Sequence, residues 1–151
     1  YLALVWGRPE AHTGVVDAPI GRSTKDRTRM AVIGSGRPAR THYDVEETRV
    51  EPETSLLRCL LETGRTHNIR VHLSAIGHPL VGDRAYGGER EGLPEGPPLD
   101  RPFLHAAHLS FEHPVSGERL AFDAPLPADL VGLLDRLGPP ESAEAESEVG
   151  V

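Results

Sequence analysis

The residues best suited to chemistry lie together in one stretch, TGRTHNIRVHLSAIGHPLVG, which runs from Thr63 to Gly82. It contains two arginines, three histidines and a Gly-His-Pro turn. Guanidinium and imidazole groups form charge-assisted hydrogen bonds with phosphates and carboxylates. A basic, hydrogen-bonding surface of this kind is suited to hold phosphates. The stretch is therefore the first candidate for a functional site.

A short helix over about residues 66–76 is predicted to carry these side chains. Thr63 and Thr66 are possible N-cap residues, and the Gly-His-Pro turn at 77–79 is a stop signal. At about 100° per residue, one helix face carries Ile69, Leu73 and Ile76, and the other carries His67, Arg70, Val71 and Ser74. We expect Arg70 to project from this rigid element and hold a carboxylate or phosphate. The simpler alternative is a surface salt bridge.

The net charge of −7 is unevenly distributed along the chain. Four of the 23 acidic residues lie beyond Pro139, so residues 1–138 carry a net charge of −3. Residues 22–40 contain a single acidic residue and six basic ones, which are Arg22, Lys25, Arg27, Arg29, Arg37 and Arg40. Such a cluster is typical of phosphate binding, and the alternative is a solvated loop without a partner. Residues 139–151, rich in Ala, Ser and Glu, are predicted to be a disordered acidic tail.

Length and composition predict one domain, residues 1–138, followed by that tail. A chain of 151 residues with 38% hydrophobic residues can bury one core. The sequence has no apolar run of membrane-spanning length and no signal-peptide pattern, so no membrane partner is expected. The single cysteine, Cys59, excludes a disulfide framework within the chain and fits a reducing cytoplasm, with core packing as its expected role.

The pattern along the chain predicts an α+β fold with a mixed, largely antiparallel sheet and short flanking helices. Strands are predicted at 1–6, 29–33, 39–50, 56–63, 103–112 and 118–123. Residues 39–50 and 56–63 are expected to form a hairpin, and residues 89–102 a surface loop. A closing amphipathic helix is predicted at 127–137, with Leu130, Leu133, Leu134 and Leu137 as its apolar stripe.

Eight histidines raise the alternative of a metal-dependent hydrolase. The spacing of the histidines argues against it. His67 and His72 would diverge by about 140° on a helix, while His105 and His108 would lie on opposite faces of a strand. We therefore expect no metal site.

Several blocks of the chain recur, in the same order, in one known family. They are the central stretch with its Gly-Asp-x-x-Tyr-Gly turn at 82–87, and the segments 1–7, 17–20, 25–32, 39–43, 104–106 with His113-Pro114, and 124–127. Together they resemble the RluA-type (RluA- and RluD-like) RNA pseudouridine synthases. The resemblance covers about residues 1–137 and corresponds to the second half of the catalytic domain of that fold.

The resemblance implies isomerisation of a uridine in structured RNA, either ribosomal or transfer RNA, without any cofactor. The N-glycosidic bond breaks, the base turns, and it is rejoined through carbon. The implied catalytic residues are Tyr1, which lies against the base and takes part in proton transfer, Arg70, which pairs with the nucleophilic aspartate and orients it, and Leu104, which supplies an apolar wall. These roles suit an aromatic ring, a planar guanidinium fork and an aliphatic side chain.

RNA contacts are expected from five further residues, which are Arg27, Arg29, Arg65, His67 and Asn68. Asn68 stands where the family has glutamine. The amide is kept, but its reach is shorter.

The aspartate itself has no counterpart in the sequence, because no segment resembles the family's Arg-Leu-Asp-x-x-Thr-Ser-Gly motif. Asp83 is rejected as its replacement, since its place in the Gly-Asp-x-x-Tyr-Gly block favours an Asx turn or loop brace. We therefore expect this chain to be a fragment of a synthase, inactive alone. A non-catalytic RNA-binding module derived from such an enzyme is the alternative.

Overall fold

The computed structural model describes residues 1–64 and 67–141. It contains nine strands and two α-helices within those residues. The strands are β1 (Leu2–Trp6), β2 (Thr13–Asp17), β3 (Ile20–Arg22), β4 (Met30–Val32), β5 (Arg40–Val50), β6 (Glu53–Leu61), β7 (Leu104–His105), β8 (His108–Glu112) and β9 (Arg119–Asp123), and the helices are α1 (Asn68–Ala75) and α2 (Ala128–Leu137). Neither helix has the length and apolarity needed to cross a membrane.

The main sheet has five strands in the order β2-β5-β6-β1-β7. Its longest pairing is the β5–β6 hairpin, which was predicted from the alternation of residues 39–50. The strand pairs β3–β4 and β8–β9 form two small sheets of their own, and every pairing in the described residues is antiparallel. The predicted α+β fold is confirmed, with an antiparallel sheet.

Strand β1 is central because it supports a core on each face of the sheet. Ala3 and Val5 pack in the core that includes the α1 residues Ile69 and Leu73. Leu4 and Trp6 pack in a second core, with Phe103 and the α2 residues Leu130, Leu133 and Leu137. Successive side chains of a strand point to opposite faces, so α1 and α2 lie on opposite faces of the sheet.

The basic segment folds as a small hairpin, which we call the basic hairpin (residues 20–32, strands β3 and β4). It packs on α1 through a third buried cluster that contains Ile20, Val71 and Tyr86, with Met30 partly buried against it. The basic residues predicted to bind phosphates therefore lie beside the helix of the central stretch.

Strand predictions failed at two places. Strands β2 and β3 were not predicted. The predicted strand at 103–112 is two strands, because β7 pairs with β1 whereas β8 pairs with β9. A strand-like pattern along the sequence cannot show that the pairing partner changes within it.

Helix α1 differs from its predicted form. It begins at Asn68, its N-cap is His67 in a left-handed conformation (φ 56°), and the predicted start at Thr66 lies outside the described residues. Ile76, predicted to be apolar core, is 38% exposed, whereas Val71 is buried against the basic hairpin. The helix is therefore covered on two sides, by the sheet and by the hairpin, so a single apolar stripe does not describe it.

The chain's single thiol lies on β6, facing the α1 core. Burial raises the pKa of Cys59 to about 12. The expected packing role agrees with this position.

The predicted tail begins with ordered residues. The backbone N–H of Glu141 donates to the carbonyl of Thr48 at 2.8 Å, and its carboxylate pairs with Arg8. Residues 142–151, the remainder of the predicted tail, lie outside the described residues.

Candidate functional site

The centre of the site is an ion pair between α1 and the loop that follows it. Nε of Arg70 lies 2.9 Å from Oδ2 of Asp83, and Nη2 lies 2.8 Å from Oδ1. The Asp83 carboxylate is fully buried, while the Arg70 side chain is 20% exposed. The pKa of Arg70 is raised, chiefly by its hydrogen bonds to Asp83. Arg70 thus belongs to a buried, two-pronged pair, and the surface salt bridge considered from the sequence is not what forms.

The loop around Asp83 is held closed by its own backbone. The N–H of Asp83 donates to the carbonyl of Leu80 at 3.1 Å, and the N–H of Gly88 donates to the carbonyl of Asp83 at 2.7 Å. A Cβ at Gly88 would lie 1.7 Å from the oxygen of Leu80, so only glycine fits there. Both Asp83 oxygens bond to Arg70, and the side chain accepts no backbone N–H from the residues that the structure describes, so Asp83 acts as a brace and makes no Asx turn.

Tyr86 connects this pair to the basic hairpin. The Cζ atom of Arg70 lies 4.9 Å from its ring centroid, and that of Arg29 lies 5.1 Å away. Its hydroxyl accepts the backbone N–H of Met30 at 2.9 Å and lies 2.7 Å from Nδ1 of His67. Guanidinium groups at these distances are attracted by the ring face. Tyr86, which is 4% exposed, therefore contacts both the hairpin and the helix.

His67 presents one ring nitrogen to the outside. Since the Tyr86 hydroxyl accepts the Met30 N–H, its own proton is available to donate to Nδ1 of His67, which leaves the proton of a neutral imidazole on Nε2. The pKa of His67 is lowered mainly by burial and, to a smaller extent, by the positive charge of Arg70. The exposed imidazole is therefore suited to donate a hydrogen bond while neutral.

The basic hairpin and the turn after it present cations beside an open cavity. The cavity has a volume of about 540 Å³ and is lined in part by Arg22, Arg37 and Gly64. Arg27 and Arg29, both predicted RNA contacts, are exposed. Arg40 differs from the other members of the predicted cluster, because it pairs with Asp17 and Glu62 and these ion pairs raise its pKa. We exclude Arg40 from the phosphate-binding set for this reason.

Tyr1 and Leu104, the other two predicted catalytic residues, share a sheet face with α1. Leu104 pairs with Ala3 across β1 and β7 and packs on the core that contains Ile69. Tyr1 stands two residues before Ala3, and its backbone pairs with Cys59, so the strand alternation extends to it and its side chain lies on the same face. The Tyr1 side chain is among the exposed ones, at 40%.

Asn68 is enclosed by protein, contrary to its predicted contact with RNA. It is 2% exposed, its Nδ2 donates to Oγ1 of Thr41 at 2.9 Å, and its Oδ1 accepts from Oγ1 of Thr63 at 2.8 Å. The buried ring of His72 lies in the same network, 2.8 Å from Thr41. The amide is thus used inside the protein to tie the start of α1 to β5, which leaves it no direct reach to RNA.

The structure therefore brings together three of the predicted site residues, which are Arg29, His67 and Arg70. Arg65 and the N-cap candidate Thr66 lie outside the described residues. Among the residues that are described, no three His, Cys, Asp or Glu side chains are arranged to hold a metal ion. The sequence reasoning missed Tyr86 as a contact, although the Gly-Asp-x-x-Tyr-Gly spacing was a signal that could have found it.

Comparison with protein families gives a match over the first half of the chain. Residues 1–75 match the family described as RNA pseudouridylate synthase. A relative from Chloroflexus aurantiacus, described as an uncharacterized RNA pseudouridine synthase, is 56% identical over 137 residues, which are 91% of this chain and 41% of that protein. The ribosomal large subunit pseudouridine synthase D of Nitrosomonas europaea is 51% identical over 140 residues, which are 91% of this chain and 40% of that protein.

Solved structures show the same similarity at the level of the fold. Human RNA pseudouridylate synthase domain containing 1 superposes with a TM-score of 0.71 at 32% identity, covering 98% of this chain and 63% of that one. Human RNA pseudouridylate synthase domain containing 4 gives a TM-score of 0.67 at 24% identity, with coverage of 93% and 62%, and it supports the fold alone. The chain spans about two fifths of the length of the two curated relatives.

Proposed function

Because this chain belongs to the RNA pseudouridine synthase family, within its RluA/RluD-like group, we propose that it takes part in converting uridine to pseudouridine in ribosomal RNA of the large subunit. The substrate follows the name of the Nitrosomonas relative. We propose a cytoplasmic location, which agrees with the single free cysteine. The nucleophilic aspartate, absent from the 151 residues, is proposed to come from outside them.

This proposal rests on the way in which the structure holds the Arg70 guanidinium. Asp83 holds Nε and Nη2, while Nη1 donates to no protein atom of the part of the chain that the structure describes. The side chain keeps a fifth of its surface exposed. A guanidinium held in this way can donate a hydrogen bond from Nη1 to a second carboxylate. Because the group is planar, it also orients that carboxylate.

Tyr1 and Leu104 fit the proposed site by their location. Both lie on the sheet face that carries α1, one as an exposed aromatic ring and the other as a half-buried aliphatic side chain. An aromatic ring that stacks on a base contributes about 1–3 kcal/mol to binding. We propose that Tyr1 lies against the target base and that Leu104 limits its movement on the apolar side.

Proposed RNA contacts come from the basic hairpin and from the start of α1. Arg27, Arg29 and His67 present exposed donors on neighbouring surfaces. Phosphate contacts of this kind fix the register of a nucleic acid, whereas base contacts specify its sequence. Arg65 remains a proposed contact without structural support, and Asn68 is proposed to hold α1 in place.

Release of tritium from 5-tritiated uridine in a large-subunit rRNA transcript tests the proposal, because the hydrogen on C5 leaves when C5 becomes the glycosidic carbon. We expect release by the complete gene product that contains these residues and none by the 151-residue chain alone. Arg70→Ala should lower the rate by a factor of about 10³ or more, and Arg70→Lys should recover little, since a point charge lacks the guanidinium fork.

The same assay decides between the enzyme and the alternative of a non-catalytic RNA-binding module. Activity of the 151-residue chain alone would refute the external origin of the nucleophile. A complete gene product that binds the transcript tightly but releases no tritium would favour the binding module. A fully active Arg70→Ala variant would remove Arg70 from the site.

A further inference from the structure

Arg70 is held by a fully buried carboxylate on a hydrogen-bonded loop. Asp83 is fully buried, and its backbone is fixed by hydrogen bonds to Leu80 and Gly88. Two nearly parallel hydrogen bonds define the plane of a guanidinium group. The direction in which Nη1 of Arg70 points is therefore determined by Asp83 and the loop around it.

A second contact links Arg70 to the basic hairpin. The ring of Tyr86 lies within about 5 Å of the Cζ atoms of both Arg29 and Arg70, at 5.1 and 4.9 Å. The Tyr86 hydroxyl accepts the N–H of Met30, on the hairpin strand β4, and also bonds to His67, the N-cap of α1. Tyr86 thus contacts Arg29 and Met30 on the basic hairpin. The same side chain contacts His67 and Arg70 at the start of α1.

We propose that Asp83 and Tyr86 are positioning residues for Arg70: Asp83 fixes the plane of its guanidinium, and Tyr86 couples that guanidinium to the basic hairpin, so that RNA contacts at Arg29 affect the chemical step. This inference rests on the proposed function of Arg70. Neither residue touches the substrate in this scheme. Both act through Arg70.

The exposed pair between Arg101 and Asp129 offers a matched control for Asp83. It has the same two-pronged geometry, with distances of 2.9 and 3.0 Å, but both side chains are more than 40% exposed and neither belongs to the site. Tyr43 is the corresponding control for Tyr86, because it is a buried tyrosine of β5 in the α1 core.

The first experiment uses the complete gene product and the tritiated large-subunit rRNA transcript under single-turnover conditions. Asp83→Asn keeps the shape of the side chain but weakens the pair, so we expect the rate at saturating RNA to fall about 100-fold, with the Kd for RNA changed less than about threefold. Asp83→Glu should be partly active. Asp129→Asn should leave both quantities as in the wild type. An Asp83→Asn rate within about threefold of wild type would overturn the role of Asp83.

The second experiment tests coupling through Tyr86. Tyr86→Phe should lower the saturating rate about fivefold to tenfold because the bonds to Met30 and His67 are lost, whereas Tyr43→Phe should not change it. In the wild-type background, Arg29→Ala should lower the saturating rate about fivefold. In the Tyr86→Leu background, Arg29→Ala should add nothing. Equal effects of Arg29→Ala in both backgrounds would overturn the coupling. If Tyr86→Leu does not fold, Arg29→Ala is compared between the wild type and Tyr86→Phe, in which the loss of the hydroxyl bond to Met30 should reduce its effect. An undiminished effect in Tyr86→Phe would overturn the coupling.

A spectroscopic measurement separates failure of this inference from failure of the proposed function. The Nε–Hε NMR signal of Arg70, assigned by its loss in Arg70→Lys, should move in Asp83→Asn and stay in Asp129→Asn. If the signal moves but the wild-type gene product releases no tritium, the proposed function is wrong and the hold of Asp83 on Arg70 remains. If the signal does not move, Asp83 does not hold Arg70 and this inference is wrong even in an active enzyme.

Discussion

Two arginine–aspartate pairs in this chain have almost the same hydrogen-bond geometry and very different surroundings. Arg70 and Asp83 meet at 2.9 and 2.8 Å beside a buried tyrosine, with the carboxylate fully enclosed. Arg101 and Asp129 meet at 2.9 and 3.0 Å, with the arginine 41% and the aspartate 48% exposed. Exposed pairs are screened by water and contribute little, whereas breaking a buried pair leaves an uncompensated charge. The two pairs therefore differ in burial and hardly at all in distance.

The largest difference between the pairs should appear when each aspartate is removed. Asp83→Ala leaves the largely buried Arg70 without its carboxylate partner, so we expect the free energy of unfolding to fall by about 3 kcal/mol. Asp129→Ala should lower it by a much smaller amount, since Arg101 regains water and only the carboxylate in the first turn of α2 is lost. Urea denaturation of the two variants measures both values. Equal losses would show that burial does not distinguish the pairs.

A loss of RNA affinity should be confined to the neighbourhood of the buried pair. Arg27→Ala combined with Arg29→Ala removes two cations from the basic hairpin, so affinity should fall about tenfold and the dependence of log Kd on log salt should become shallower by about 1 to 2 units. The effect should be similar for many RNA sequences. Fluorescence anisotropy with a labelled transcript measures it.

The matched control for this double variant is Arg90→Ala combined with Arg119→Ala, two exposed arginines outside the hairpin. Its affinity and salt dependence should match the wild type. Identical behaviour of the two double variants would reduce the hairpin to a solvated loop.

Replacing the whole buried pair should separate stability from function. Arg70→Met combined with Asp83→Leu removes both charges and keeps the branched outline of the Asp83 side chain, so the free energy of unfolding should stay within about 1 kcal/mol of wild type. Tritium release by the complete gene product should nevertheless be lost. Thermal denaturation and the tritium assay on the same preparation test this pair of outcomes. A destabilised variant would mean that the pair itself stabilises the fold.

The smallest expected effect concerns His67, which lies near the buried pair, and the way it makes stability depend on pH. Because burial and the charge of Arg70 lower the pKa of His67, the unfolded chain takes up the proton more readily than the folded one. The contribution of neutral His67 is therefore complete above its ordinary pKa of about 6.5 and is lost as pH falls through the lower folded value. His67→Gln should flatten the decline of stability in acid. An unchanged pH profile in that variant would contradict this.

The sequence alone predicted the features that depend on residues close together in the chain. Alternation along residues 39–50 predicted the β5–β6 hairpin, and the leucine stripe of residues 130–137 predicted α2. The exposed arginines of the basic hairpin were also visible from charge alone. Each of these features depends on residues a few positions apart.

The features that were missed depend on distant partners. The Tyr86 hydroxyl and the Met30 N–H are separated by 56 positions, and no local pattern predicts such a contact. The same holds for Asn68, whose burial depends on Thr41 in β5. Strand β3 has only three residues, which is too short for alternation to be recognised. Asp83 was predicted to brace its loop, but its partner, Arg70, was identified only by the fold.

The buried thiol on β6 makes the native chain almost unreactive toward maleimides and other thiol reagents. Cys59 is the only cysteine in the 151 residues, and its raised pKa keeps it protonated at neutral pH. A cysteine introduced at an exposed position of the basic hairpin, such as Thr24, would then be the single reactive site among these residues. A fluorophore or spin label can therefore be attached to the hairpin without first removing the natural cysteine and disturbing the core it helps to fill.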